Sequence, residues 1–246
     1  MIVIVDYGMG NLRSVQKALE RIGQAAIVSD KPESVAAADR LVVPGVGAFG
    51  DAMAALRRRG LVRPICDLCK RGRPLLGICL GLQILFDESE ETAAGAEACP
   101  GSARAEPRYA GEKPGPLAEG SRPLEKGLGL LRGRVVRFDP ALAKRGLKVP
   151  HMGWNVVEPA QGGSPLFEGI AGVAGGGAVR PEEVYFYFAH SYYAAPADER
   201  VVAGRTEYGG WFASAVSADN IHATQFHPEK SQAVGLALLE NFVTRT

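Results

Sequence analysis

The segment that most constrains the fold is residues 77–81 (GICLG), which directly follows the apolar residues 74–76 (PLL). A strand that ends in Gly-x-Cys-x-Gly and continues into an apolar helix has the pattern of a nucleophile elbow. The turn is so tight that only glycine fits beside Cys79, which is exposed at the carboxyl end of the strand. A thiol at a helix N-terminus meets the positive end of the macrodipole, which favours the thiolate. The same residues also fit a buried cysteine in a glycine-rich turn.

The composition fits a globular protein of 246 residues with 46% hydrophobic and 22% charged residues. Such a chain can bury a sizeable core, and we interpret residues 1–246 as one domain. The net charge of +1 argues against a nucleic acid or an anionic membrane surface as partner. No apolar run approaches the roughly 20 residues needed to span a bilayer. Residues 1–6 favour a buried strand over a secretory signal, so we expect a cytoplasmic protein with reduced thiols.

The cysteines outside the elbow give little sign of metal or redox chemistry. Cys66 and Cys69 form a C-x-x-C, but no second pair or histidine cluster completes a zinc site. They lie inside a helical pattern, where small packing residues are the simpler interpretation. Cys99 lies in a low-complexity stretch. We therefore expect no metal and no cofactor.

The first half of the chain alternates apolar runs with amphipathic segments, which predicts βα units and a mostly parallel sheet. Strands are predicted at residues 2–6, 26–28, 40–43 and from 74 to the elbow. Helices are predicted at residues 12–22 (capped by Asn11), 32–38, 48–59, 62–71 and after Cys79. The predicted fold class is α/β, with a mixed, mostly parallel central sheet flanked by helices.

The second half is richer in strands. They are predicted at residues 134–138, 155–157, 184–189, 201–205, 212–217 and 223–226, before a closing helix at 232–243. Residues 92–122 are mostly Ala, Gly, Pro, Ser and Glu, and such a composition cannot hold a core. We predict a flexible surface insertion there and a second one at residues 171–183.

A catalytic cysteine needs a base, and His227 is the candidate because it lies in residues 225–230 (QFHPEK), where a strand should end. Strand positions two apart face the same side, so Glu229 can hold Nδ1–H of His227 and present Nε2 to the thiol. Pro228 stops further ladder pairing. A capped strand end with a surface ion pair would give the same residues.

An oxyanion hole would complete the site, since each backbone N–H donor is worth about 3–4 kcal/mol. Leu80 follows the nucleophile and supplies one N–H. The segment of residues 44–47 (PGVG) ends a predicted strand and can supply the second from Val46. The glycines beside Val46 permit a peptide flip that turns this N–H towards or away from the site. The alternative is an ordinary strand–helix turn.

Together these segments resemble the class I, triad-type glutamine amidotransferase family, in the same order along the chain. Within that family, further segments are similar to the glutaminase subunits of imidazole glycerol phosphate synthase. These are residues 6–12 (DYGMGNL), 44–49 (PGVGAF), 150–155 (PHMGWN), 185–192 (YFYFAHSY) and 229–231 (EKS). The resemblance covers nearly the whole chain, apart from the two insertions, and implies a flavodoxin-like α/β fold.

The resemblance implies a specific reaction. Cys79 attacks the side-chain amide of glutamine, a γ-glutamyl thioester forms, and ammonia leaves. His227 moves the protons and then activates water, while Glu229 orients His227. The residues expected near the substrate are Gly47, Gln83, His190, Ser191 and Tyr192.

The resemblance also implies a partner, a (β/α)8-barrel cyclase that forms a heterodimer with the glutaminase. The cyclase uses the ammonia to make imidazole glycerol phosphate and aminoimidazole carboxamide ribotide in histidine biosynthesis. In the family the glutaminase is nearly silent until the cyclase binds its ligand, which fits a flip at Val46. The residues at matching interface positions are Asn11, Met152, Trp154, Asn155, Tyr187 and Lys230.

Single residues at this interface have alternatives. Trp154 is interpreted as an anchor in a polar loop, although it could instead cap the sheet. His151 is interpreted as structural or interfacial, and His222 as a core-edge histidine.

Three other functions stay open at this point. The first is the glutaminase subunit for anthranilate, aminodeoxychorismate or guanylate synthesis, which should lack residues 150–155 and 185–192 as they stand here. The second is a stand-alone cysteine hydrolase of γ-glutamyl compounds, which needs no partner. The third is a silent scaffold, against which the complete set of Cys79, His227 and Glu229 argues.

Overall fold

A computed structural model describes residues 1–91, 124–160, 163–170 and 184–246. Both predicted insertions and Cys99 lie outside these residues. Within the described ranges, no helix combines the length and the hydropathy that a membrane crossing requires.

The first part of the chain forms the predicted βα units. Its strands are β1 Ile2–Val5, β2 Ala26–Ser29, β3 Arg40–Gly45 and β4 Leu75–Cys79. Its helices are α1 Leu12–Arg21, α2 Pro32–Ala36, α3 Phe49–Arg58, α4 Val62–Lys70 and α5 Leu80–Gln83. The Asn11 side chain accepts a hydrogen bond from Ser14 N at 3.4 Å and so caps α1 as predicted.

Helices cover both faces of the parallel strands, because successive side chains of a strand point to opposite faces. On β1, Val3 and Val5 pack with the apolar residues of α3 and α4. Ile2 and Ile4 pack on the other face with residues of α1 and of the last helix, α6 Gln232–Arg245. All four residues of β1 are consequently buried, which explains why its sequence is a continuous apolar run.

The parallel part of the sheet has the order β2-β1-β3-β4-β13, where β13 is Ile221–Thr224. This is the 2-1-3-4-5 order of flavodoxin-like folds. Each of these neighbouring pairs is parallel, so the strands end at one common edge. Ligands of such sheets bind outside the carboxyl ends of the strands. The elbow at the end of β4 lies on this edge.

The second part of the chain extends the sheet with mostly antiparallel pairs. Its strands before β13 are β5 Phe86–Ser89, β6 Glu125–Lys126, β7 Leu131–Arg137, β8 His151–Pro159, β9 Val184–His190, β10 Tyr192–Pro196, β11 Val202–Glu207 and β12 Trp211–Ala218. The sequence did not predict β5, β6 or β10. The predicted α/β class is confirmed, with a mixed sheet flanked by helices whose central part, β2-β1-β3-β4-β13, is parallel.

Candidate active site

The elbow holds Cys79 in an unusual backbone conformation, with φ 56° and ψ −107°. A residue without the freedom of glycine pays about 1–3 kcal/mol for such a conformation, and it persists only where the surroundings enforce it. The enforcement comes from close packing. A Cβ on Gly81 would overlap the carbonyl oxygen of Val43, and one on Gly77 would lie 2.7 Å from the carbonyl oxygen of Gly81. Glycine on both sides of Cys79 is therefore required by contact.

The helix after the elbow is shorter than the sequence suggested. The helix α5 spans only Leu80–Gln83, a single turn, before the chain enters β5. The dipole of one turn sums few peptide units, so the helix contributes little to a thiolate at Cys79. Other groups must stabilise that charge.

His227 and Glu229 are in direct contact, with 2.8 Å between Nδ1 and Oε1, and both side chains are buried. The sequence argument for this contact was wrong, however. Strand β13 ends at Thr224, and Glu229 lies on a 3₁₀ turn, Pro228–Lys230, rather than on extended backbone. The tight turn brings the carboxylate back to the imidazole. Burial also rules out the alternative of a surface ion pair.

The charge on His227 depends on its two neighbours. Burial by itself lowers the pKa of an imidazole, but the nearby Cys79 side chain and the hydrogen-bonded Glu229 carboxylate outweigh it and raise the pKa of His227 to about 9. Because Glu229 holds Nδ1, Nε2 is the nitrogen left for Cys79. The site therefore favours a protonated imidazole beside Cys79 at neutral pH.

A cleft of about 190 Å³ opens at Cys79. One water molecule needs roughly 10–15 Å³ of such space, so the cleft has room for a small substrate. It is bordered by eight of the residues predicted for the nucleophile, the oxyanion hole and the substrate site, namely Val46, Gly47, Cys79, Leu80, Gln83, His190, Ser191 and Tyr192. The last residue of β3, Gly45, pairs with Cys79 in register, so Val46 and Leu80 leave neighbouring strand ends.

The cleft also contains Glu91, which the sequence did not single out. Its Oε2 accepts a hydrogen bond from Phe49 N, the first residue of α3, at 3.0 Å. Burial, reinforced by the nearby charge of Asp51, outweighs this bond and raises the pKa of Glu91 to about 7. Glu91 directly follows the unpredicted strand β5, so the acidic run of residues 87–91 gave no sign of its position.

The other histidines are buried and neutral. Burial lowers the pKa of His151 to about 4. Burial, with a smaller effect of His151, lowers that of His190 to about 3. His222 also has a pKa lowered by burial, to about 4, and its Nδ1 lies 2.8 Å from Ser217 Oγ, as expected of a core-edge histidine.

His190 and His151 form a directed chain of hydrogen bonds. His190 Nδ1 must donate to the Tyr192 carbonyl oxygen at 2.8 Å, since a carbonyl only accepts. His190 Nε2 then accepts from His151 Nδ1 at 3.0 Å, and His151 Nε2 accepts from Asn155 Nδ2 at 3.2 Å. The chain thus fixes both tautomers and joins Asn155 on β8 to the wall of the cleft.

Most of the predicted interface residues form one exposed cluster. The Trp154 and Tyr187 rings are 6.1 Å apart, and Lys230 Nζ lies 5.5 Å from the centre of the Tyr187 ring. Met152 and Trp154 are 67% and 46% exposed. The interpretation of Trp154 as a loop residue was wrong, because it lies on β8 and pairs with Tyr187 on β9. The glycine-flanked sequence hid a nine-residue strand.

Asn155 lies apart from this cluster. Alternation along β8 places it opposite Trp154, and its Nδ2 donates to His151 and to the Glu207 carbonyl oxygen at 3.0 Å. Its Oδ1 accepts from Val156 N at 2.8 Å. The amide is engaged within the fold.

The C-x-x-C pair lies on α4, as expected of helix-packing residues. Burial raises the pKa of the Cys69 thiol to about 12 and also raises that of Cys66. Both thiols are therefore protonated and unreactive at neutral pH. In the described part of the chain, no cluster of three or more His, Cys, Asp or Glu side chains could hold a metal ion.

Comparison with known proteins agrees with this geometry. The family Glutamine amidotransferase class-I matches residues 3–246. The imidazole glycerol phosphate synthase subunit HisH of Syntrophotalea carbinolica is 48% identical over 98% of this chain and 98% of its own length. The subunits of the same name from Rhodopirellula baltica and Methanothermobacter thermautotrophicus are each 45% identical over 99% of this chain, and over 97% and 98% of their own lengths.

Solved structures share the fold at lower identity. A crystal structure of a glutamine amidotransferase covers 99% of this chain and 100% of its own, with a TM-score of 0.63 and 20% identity. The structure of PurLQS from Thermotoga maritima has a TM-score of 0.63 and 17% identity, and covers 99% of this chain and 97% of its own.

Glu229→Gln, which keeps the shape and removes the charge, should lower the pKa of His227. A histidine whose pKa is raised on folding, here from 6.5 to about 9, stabilises the protein fully below pH 6.5. It loses that contribution as the pH rises through about 9. Between these values the free energy of unfolding of the wild type should fall by about 1–3 kcal/mol more than that of the variant, at about 1.4 kcal/mol per pKa unit. Urea unfolding across this pH range measures the free energy of unfolding of the wild type and of the variant. The same pH dependence in the two proteins would contradict the role of Glu229.

Proposed function

We propose, because the chain belongs to the class-I glutamine amidotransferase family and within it to the HisH subunits of imidazole glycerol phosphate synthase, that it hydrolyses glutamine at the Cys79 cleft and delivers ammonia to a partner subunit. It is a glutaminase of histidine biosynthesis. Membership of the HisH subunits decides among the alternatives that the sequence left open. The observation that supports the site is the buried Glu229–His227 contact beside a strained cysteine.

In the first half of the reaction, the Cys79 thiolate attacks the side-chain carboxamide carbon of glutamine. The resulting oxyanion lies between strand ends that carry the N–H groups of Val46 and Leu80. His227, protonated on Nε2, gives that proton to the leaving nitrogen, and the C–N bond breaks. Ammonia leaves, and a γ-glutamyl thioester remains on Cys79.

In the second half, neutral His227 takes a proton from water, and the water oxygen attacks the thioester carbon. The C–S bond breaks, glutamate leaves, and the imidazolium–thiolate pair is restored. Glu229 keeps Nδ1–H of His227 in place throughout. Glutamine and water are consumed, and glutamate and ammonia are formed.

Glu91 is the acidic group among the residues that border the cleft, and it suits the α-ammonium group of glutamine. A half-buried carboxylate and an ammonium ion form a stronger pair than they would in water. Of the Gln83 side chain, Nε2 is engaged with the Tyr192 carbonyl oxygen and with Gln225, so Oε1 is the atom that can accept from the substrate.

The partner, by the family resemblance a (β/α)8-barrel cyclase, would dock on the exposed cluster of Met152, Trp154, Tyr187 and Lys230. Trp, Tyr and Met side chains are enriched at protein interfaces, and Trp and Tyr are frequent among the few residues that carry most of the affinity. Tyr187 also contacts the catalytic turn, because its carbonyl accepts from His227 N at 2.9 Å and its N–H donates to Ser231 Oγ at 3.0 Å. Docking at Tyr187 would therefore press on the backbone of His227.

Cys79→Ala should abolish glutamine hydrolysis, by at least about 10⁴-fold, because no other group replaces the nucleophile. Glutamate and ammonia are measured with and without a candidate barrel cyclase and its ribonucleotide substrate. Synthesis from added ammonia should survive in this variant, and Cys66→Ala, on α4, should behave like the wild type. Residual hydrolysis in Cys79→Ala would contradict the nucleophile. A wild-type rate of glutamine hydrolysis that is the same with and without the cyclase would contradict the role as a synthase subunit.

Glu91→Gln should raise KM for glutamine about 10- to 100-fold and change kcat little, since it removes the charge that holds the α-ammonium group. In the wild type, kcat/KM should fall as the pH drops through about 7, where Glu91 gains a proton. In Glu91→Gln this decrease of kcat/KM at low pH should disappear. The control is Glu90→Gln at the exposed neighbour. The same decrease of kcat/KM at low pH in Glu91→Gln as in the wild type would contradict the role of Glu91.

Trp154→Ala should weaken the complex with the cyclase by about 2 kcal/mol, or roughly 30-fold in Kd, as expected for an interface anchor. The matched control is Trp211→Ala, which removes a tryptophan of similar exposure (41% against 46%) from β12, outside the cluster. Titration of the cyclase with each variant gives the affinities. Equal affinities for the two variants would return Trp154 to a structural role.

A further inference from the structure

Gln225 is a fully buried residue that none of the steps above uses. It directly follows β13, whose last residue Thr224 pairs with Ile78 next to the elbow. Its Nε2 lies 3.6 Å from Cys79 Sγ, and its Oε1 lies 3.1 Å from Gln83 Nε2. A primary amide that contacts the reacting sulfur can only act on it as a donor or as an acceptor, so its orientation matters.

The neighbouring groups fix that orientation. The Tyr192 carbonyl oxygen can only accept, so the group of Gln83 that lies 2.9 Å from it is the NH₂. The second hydrogen of this NH₂ points to Gln225, which must present its oxygen there. The NH₂ of Gln225 then faces Cys79. A flipped Gln225 would place its NH₂ against the NH₂ of Gln83 and its oxygen against the sulfur.

We infer that Gln225 is a catalytic residue whose Nε2–H donates a hydrogen bond to Cys79 and stabilises the thiolate, with Gln83 as the positioning residue that keeps the amide in this orientation. The inference deepens the proposed glutaminase function and rests on it. The single turn of α5 contributes little to a thiolate at Cys79. Gln225 supplies an uncharged donor to the sulfur in addition to the cationic His227.

A competing contact is weaker. The Ala189 carbonyl oxygen lies 3.9 Å from Sγ and would accept from the neutral thiol. This contact is longer than the 3.6 Å contact with Gln225. A hydrogen bond to an ionised partner is also roughly twice as strong as one between neutral groups. The balance of the two contacts therefore favours the thiolate.

Stabilising the thiolate increases the rate although it makes the sulfur less nucleophilic. For a thiol whose pKa lies above the ambient pH, lowering that pKa by one unit raises the thiolate fraction up to tenfold, while the reactivity of the thiolate falls only about threefold. The same donor helps the second half of the reaction, because sulfur must then leave as a thiolate. Gln225 thus acts on both the formation and the hydrolysis of the thioester.

The test uses Gln225→Met, which keeps the length and removes the donor, and Gln225→Glu, which keeps the shape and places an acceptor against the sulfur. Iodoacetamide alkylation of Cys79 is followed by mass spectrometry of the Cys79 peptide from pH 5 to 10, which separates it from the other cysteines. In both variants the alkylation profile should move to higher pH by about one unit or more, and further in Gln225→Glu. With glutamine and the cyclase, kcat/KM should fall about 10- to 100-fold, the loss expected for one hydrogen bond to a charged group.

Gln24→Glu, the same change in the loop before β2, is the control and should leave the alkylation profile and kcat/KM unchanged. Thermal unfolding shows whether each variant of Gln225 is folded. If one of the two is not folded, the alkylation profile of the other one tests the role of Gln225. Unshifted profiles in a folded variant would overturn the role of Gln225, even if kcat/KM falls. If the wild type does not hydrolyse glutamine while the profiles still shift, the proposed function fails and the hydrogen bond to the sulfur stands.

Discussion

The strained backbone of Cys79 is the constraint on which the rest of the site depends. At φ 56° this residue persists only where its surroundings enforce the conformation. Strand β4 lies between β3 and β13 and is paired with both in parallel register. Gly81 brings the next turn against the carbonyl of Val43, so the chain has no room to relax. The same register places the ends of β3 and β13, and with them Val46 and Gln225, beside the sulfur.

Four histidines illustrate how environment separates charged from neutral imidazoles. Burial is the largest effect on His151, His190 and His222, and it lowers their pKa values. His227 is also buried, but it faces the Glu229 carboxylate and Cys79, and its pKa rises instead. The neutral pair His151 and His190 orders the wall of the cleft, whereas the cationic one faces the nucleophile. Burial strengthens the loss of hydration that lowers a histidine pKa and also the attraction to negative charges that raises it, because solvent screening is weaker there.

Two hydrogen-bonded routes lead from strands β8 and β9 to the cleft. On one, Tyr187 accepts from His227 N and donates to Ser231, so the strand that carries the cluster holds the catalytic turn. On the other, Asn155 reaches the Tyr192 carbonyl through two imidazoles. That carbonyl also accepts from Gln83. A partner on the face of β8 and β9 would thus touch the elements that orient the base and the cleft wall.

Local pattern was enough to predict the βα units, the elbow with Cys79, and Val46 and Leu80 beside it, since strand periodicity and glycine spacing are properties of short segments. The other five residues that border the cleft were predicted from the family resemblance. Pairing between distant segments could not be read in this way. Such pairing made Trp154 a strand residue and added β5, which positions Glu91. The sequence by itself therefore determined the chemistry, because it identified Cys79 as the nucleophile, His227 as the base and Glu229 as the residue that orients the base. The protonation of His227, the orientation of Gln225 and the tautomers of His151 and His190 were decided only by tertiary structure, because each depends on partners far apart in the chain.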